Sequence, residues 1–159
     1  MKNQRTKENQ RASYSYRNLD LWQRAQELAL RVIKLTEELP STGAPSVLTR
    51  QIVGSAASIG ANIAEGHGRY SLAAYRQHLS IAKGSASETD SWLDLLRRVG
   101  YIDSATEAEL HRQCLSILGA LTRRIRDLDA RLEEMKRAGV REEGIPYALD
   151  SEAAPGAIE

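Results

Sequence analysis

Apolar residues recur three and four positions apart along almost the whole interior of this chain, and that spacing leaves few folds open. Leu21, Ala25, Leu28, Val32, Leu35 and Leu39 share one side of a helix, because an α-helix turns once in 3.6 residues. Pro40 and the following STGAP end it. A second stripe of Leu48, Ile52, Ala56, Ile59 and Ile63 has Ser46 placed to cap its start and Gly66 to close it in a left-handed cap. The third runs from Ser71 through Leu72, Tyr75, Leu79, Ala82, Ala86, Leu93 and Leu96, with Ile81, Trp92, Leu95 and Val99 beside them, and stops at Gly100. In the fourth, Ser104 and Glu107 form a capping box. Its stripe of Leu110, Cys114, Ile117, Leu121, Ile125, Leu128, Leu132 and Met135 reaches about Ala138.

Four amphipathic helices joined by short connections predict an all-α fold, an antiparallel up-down four-helix bundle over residues 16–139. Hydrophobic residues at 42%, only four prolines and no phenylalanine suit helices rich in Leu, Ile and Ala. Residues 1–15 lack any apolar period and read as a flexible basic arm bearing Lys2, Arg5, Lys7 and Arg11. Residues 140–159, with one arginine against five acids, read as a flexible acidic tail. The whole chain nets only +1, without the basic excess of proteins that live on phosphate backbones. No apolar run approaches the twenty residues needed to cross a bilayer, and the N-terminus lacks a secretory apolar segment. The expected location is cytoplasmic, without membrane contact.

Catalytic and cofactor motifs find no support. The Gly66-His67-Gly68-Arg69 run follows a helix instead of a strand and has no Gly-Lys-Ser, so it reads as an interhelical turn, not a phosphate loop. A di-iron bundle site needs Glu-x-x-His pairs. His67, His78 and His111 do not supply them, so no metal or other cofactor is expected. His67 reads as a turn residue, the other two as partly buried or surface side chains. Cys114 lies on an apolar stripe and reads as a small core residue. The chain is not expected to be an enzyme.

Small residues are the unusual feature. Gly54, Ser55, Ala56, Ala57, Ser58, Gly60 and Ala61 thin the second helix, as Gly84 to Ser87 thin the third, and each interior glycine costs about 1 kcal/mol of helix propensity. Close approach of two helices or of a neighbouring subunit would offset that; flexibility or a ligand cleft is the alternative. Asn62 and Glu88 fall among these residues and are expected to be partly buried. A buried carboxylate needs hydrogen-bond partners, so Glu88 should meet Asn62, an amide at the Gly66 turn, or Arg69 in a polar lock that fixes helix register.

Taken in order, YRNLDLWQRAQEL (Tyr16 to Leu28), SIGANIAEGHGR (Ser58 to Arg69), YRQHLSIAKGSASE (Tyr75 to Glu88) and VGYI (Val99 to Ile102) resemble the four-helix-bundle proteins encoded in intervening sequences of bacterial 23S ribosomal RNA genes. The resemblance covers about residues 16–130. It implies a non-enzymatic bundle that assembles as a homopentameric ring with a link to RNA. More distantly, it implies similarity to accessory proteins of the reverse transcriptases of diversity-generating retroelements. The family's shared polar positions fall on Asn62, Glu65, Gly66, Arg69, Gly84 and Glu88. Family members carry a basic pair where this chain has Val53-Gly54, leaving Arg50 as the nearby charge; that favours an intersubunit contact over RNA. The expected partners are therefore further copies of the chain, RNA or DNA, or another protein. Candidate nucleic-acid contacts are Lys2, Arg5, Lys7, Arg11, Arg50, Arg69 and Arg76.

Overall fold

The computed structural model describes residues 15–140. The expected basic arm, with Lys2, Arg5, Lys7 and Arg11, and the expected acidic tail lie outside them, apart from Ser15 and Val140. Ser15 opens a single 3-10 turn, Tyr16–Asn18, by accepting from the Arg17 amide. Four helices follow: α1 (Asp20–Glu37), α2 (Ala44–His67), α3 (Leu72–Arg98) and α4 (Ser104–Arg137). Each packs on its neighbours in sequence, and α1 also meets α4, which closes the antiparallel four-helix bundle. No helix among the described residues is long and apolar enough to cross a membrane.

The inward stripes meet in one core. Leu28, Val32, Ile52, Ile59, Ile63, Leu79, Leu93 and Leu121 are fully buried, each contributing about 1.5–3 kcal/mol of apolar transfer. Leu35, Leu39, Leu48, Ile125, Leu132 and Met135 pack against them from the ends. On α3 the inward face is narrower than its spacing suggested: Ile81, Leu95 and Val99 are exposed and Trp92 is half-buried.

Helix ends correct three expectations. Ser46 does not cap α2. The helix starts two residues earlier at Ala44, after Gly43 at φ +69°, with the buried Pro45 in its first turn, and the Ser46 hydroxyl donates back to the Gly43 carbonyl at 2.9 Å. The reason is steric, since proline's missing N–H is harmless in the first turn and its fixed φ suits a helix start. Gly66 is no left-handed cap either; it is helical and buried, and the helix closes at Gly68 with an ordinary φ of −81°. At α4 the cap is Asp103, whose carboxylate accepts from the Thr106 amide at 2.7 Å, so Ser104 is already helical and the box does not form. That bond from the Thr106 backbone lowers the Asp103 pKa below the usual carboxylate value. Two other ends match: Ser71 caps α3 through the Ala74 amide, and Gly100 takes φ +79° after it.

Candidate functional site

Hydroxyl, amide and imidazole side chains occupy the facing sides of α2 and α3, at Ser55, Ser58 and Asn62 on one and His78, Ser85 and Thr89 on the other. The antiparallel packing puts them opposite one another in three rungs. Thr89 Oγ1 lies 3.0 Å from Ser55 Oγ and 2.8 Å from the Ser85 carbonyl, so its one proton is shared between them. Ser85 donates to Ser58 Oγ at 3.0 Å. Asn62 gives its amide hydrogens to the Ser58 carbonyl and hydroxyl at 2.9 and 3.1 Å. Its Oδ1 then accepts from His78 Nδ1 at 3.3 Å, which sets the histidine tautomer. Nε2 of His78 faces Glu65 Oε1 at 3.8 Å, and Glu65 is ion-paired to Arg69 one turn on. A polar seam thus runs from Ser55 and Thr89, midway along the α2–α3 contact, to the turn.

The expected lock is therefore differently composed. Asn62, Glu65 and Arg69 lie in or beside it, but Glu88 does not meet Asn62. Glu88 is exposed, and its carboxylate accepts from Trp92 Nε1 on its own helix at 3.2 Å. Neighbouring residues on a helix point about 100° apart, so with Thr89 fully buried Glu88 turns outward. Ser55, Ser58, His78, Ser85 and Thr89 are the members that sequence reasoning missed. The available signal was the near-equal spacing of two hydroxyls on each helix, three residues from Ser55 to Ser58 and four from Ser85 to Thr89; His78, seven residues before Ser85, falls outside that pattern.

The small residues divide into two sets. A methyl group at Gly60 would run into the Gln26 amide, and one at Gly66 would come within 2.8 Å of His78 Cβ and 2.9 Å of a Tyr75 ring carbon. These two glycines let α2 lie close to α1 and α3. Gly54 and Gly84 have nothing within 4 Å of the added atom. With Val47, Ala57 and Ala61, Gly54 forms an exposed outer face on α2, a 24-residue helix whose only Asp, Glu, Lys or Arg residues are Arg50 and Glu65. On α3, Ile81, Gly84, Leu95 and Val99 are exposed as well.

The candidate nucleic-acid residues among those described, Arg50, Arg69 and Arg76, do not form one patch. Arg69 and Arg76 lie at the end of the bundle that holds the α2–α3 turn. Arg76 makes a two-pronged contact with Asp129 of α4 at 2.8 and 3.3 Å, which raises the Arg76 pKa and lowers that of Asp129. Arg50 is exposed sixteen residues before Gly66 on α2, about 24 Å along the axis.

Two remaining groups bear on catalysis. Cys114 is buried on the core stripe, and burial pushes its thiol up to about 12, far from a reactive thiolate. His111 Nδ1 lies 2.6 Å from Asp90 Oδ1, a tie between α4 and α3 that raises the imidazole pKa chiefly through this hydrogen bond. Among the described residues no three His, Cys, Asp or Glu side chains gather as metal ligands.

The family model described as 23S rRNA-intervening sequence protein matches residues 17–123. A crystal structure of a protein with unknown function from the S23 ribosomal protein family of Bacteroides thetaiotaomicron is 31% identical, with a TM-score of 0.61. That match covers 66% of this chain and 97% of the other. Among curated proteins none matches.

Proposed function

This chain belongs to the 23S rRNA-intervening sequence protein family, and from that premise we propose that it is a non-enzymatic assembly protein. Copies of the bundle join through the outer face of α2 into a homo-oligomeric ring, a pentamer, whose basic surfaces bind RNA or DNA weakly. The observation that carries this reading is the α2 face itself: Val47, Gly54, Ala57 and Ala61 are exposed on a helix with two charged residues outside histidine. Between Gln51 and Glu65 the exposed positions of this helix are the small, uncharged Gly54, Ala57 and Ala61, a stretch on which another subunit can pack closely. In a closed ring this face meets a different face of the next subunit, a heterologous contact. Linked copies would then present several basic arms at once, and linked weak contacts raise avidity.

Light scattering of the full chain tests the assembly. A mass several times 17.6 kDa is expected, and Ala57→Glu should return it to that of one subunit by forcing a charge into the contact. A wild-type monomer would instead make the same face the site for another protein, the adaptor reading, of which an accessory subunit of a reverse transcriptase is an example.

A further inference from the structure

Charge in this bundle is sorted along its axis. The half holding the start of α1, the α2–α3 turn and the end of α4 (residues 16–24, 61–79 and 120–137) carries ten Lys and Arg against six Asp and Glu, a net of +4. The opposite half (25–60 and 80–119) carries seven against nine, a net of −2. The basic arm and the acidic tail both join at the first of these ends with opposite signs, so the bundle's own residues set the contrast.

At the tip of the basic half stands Tyr70, 93% exposed, the most exposed of the large hydrophobic side chains described. Its backbone is anchored on both sides. The Gly68 amide donates to the Ala64 and Glu65 carbonyls, the Arg69 amide to the Gly66 carbonyl, and Ser71 caps α3 immediately after. Arg69, ion-paired to Glu65, and Ser71 adjoin Tyr70 in the chain, and Arg76, paired with Asp129, lies one turn into α3. A protein-binding aromatic hot spot sits in an apolar, water-excluding surround; this ring stands in solvent at the basic end of the bundle. A flat aromatic face exposed at a basic end suits unpaired bases, each base stacking on a ring while basic side chains neutralise adjoining phosphates.

We propose that Tyr70 is a stacking platform for an unpaired base of single-stranded nucleic acid, with Arg69 contacting the neighbouring phosphate. This rests on the nucleic-acid part of the function proposed above and names its ligand class: single strands or loops, in preference to duplex. Bases inside a duplex are already stacked and offer Tyr70 no free face.

Fluorescence anisotropy at low salt, using the full chain with labelled oligouridine and an RNA duplex of equal length, tests it. The single strand should bind more tightly. Tyr70→Ala should weaken that binding by about tenfold without changing its salt dependence, because stacking displaces no counterion. Tyr70→Phe should bind like the wild type, and Arg69→Gln should flatten the salt slope by about one. Equal binding of single strand and duplex, or undiminished binding by Tyr70→Ala, overturns the stacking role while leaving electrostatic binding in place. A wild-type protein that binds neither probe removes the nucleic-acid reading as well. A change of assembly mass in Tyr70→Ala would place the ring in a subunit contact and also overturn the proposal.

Discussion

Single positions in this protein separate by what a new atom would meet. Gly66→Ala must push its methyl into His78 Cβ and the Tyr75 ring, neither of which is a loose side-chain end, so it should cost about 1–3 kcal/mol. Gly84→Ala enters open space on an exposed helix and should add up to about 1 kcal/mol from propensity alone. Urea midpoints of the two variants should move in opposite directions. His111 gives the pH counterpart. Its folded pKa is raised by Asp90, so the stabilisation is complete below the ordinary imidazole value of about 6.5 and fades as pH rises through the folded value. Glu107, on the same helix, adds to the raising. Wild type should lose more of its unfolding midpoint between mildly acidic and mildly basic buffer than His111→Gln does. Identical profiles would mean that the imidazole is solvated in the folded state.

The α2–α3 pair is the element whose interior is built differently from the rest of the bundle. Its rungs bury hydroxyls and an amide, each satisfied across the interface or by its own helix. Deleting one partner leaves the other desolvated, at about 1–3 kcal/mol. Asn62→Ala and Thr89→Val should each destabilise by that amount, whereas Glu88→Ala, on the exposed side of the same helix, should stay within about 0.5 kcal/mol. Chemical denaturation of the three variants discriminates seam from surface. If Glu88→Ala proved as costly as Asn62→Ala, the register described for α3 would be wrong. The other helix contacts rely on apolar stripes and a few ion pairs, such as Arg31 with Glu109 at 2.7 Å between α1 and α4. The largest effect on the Arg31 pKa, which is raised, is its hydrogen bond to Glu109.

At the scale of the molecule, the bundle presents unlike surfaces. The outer face of α2 is short of charge, and the end with the α2–α3 turn is basic while the opposite end is acidic. Such a subunit can associate through α2 without neutralising its basic end. If assembly and nucleic-acid binding use these separate surfaces, Ala57→Glu should abolish the large species while leaving the intrinsic contact at Tyr70 intact. The apparent affinity for long single strands should then fall more than that for short ones, through lost avidity. Sedimentation and anisotropy on the same preparations measure both. Equal losses for long and short strands would show that a single subunit carries the binding.

Four helices, their order and their connections were legible in the chain, because a 3.6-residue period is a local property and every stripe from Leu21 to Leu128 obeys it. Legible too were the place of Cys114 on a core stripe and the unusual density of small residues on the second helix. Register between helices was not. Whether Glu88 or Thr89 faced inward turned on a rotation of about 100°, and α3 carries apolar residues on both candidate stripes, so the sequence pattern fits either choice. Packing against α2 settled it by offering Ser55 to Thr89 and leaving Glu88 to Trp92. The glycines divided for the same reason: Gly66 looked like a helix stop until Tyr75 and His78 came to rest against it, while Gly54 and Gly84 found no neighbour. A chain's local pattern states which side chains can be buried; only the partner surface, brought close by the whole fold, decides which of them are.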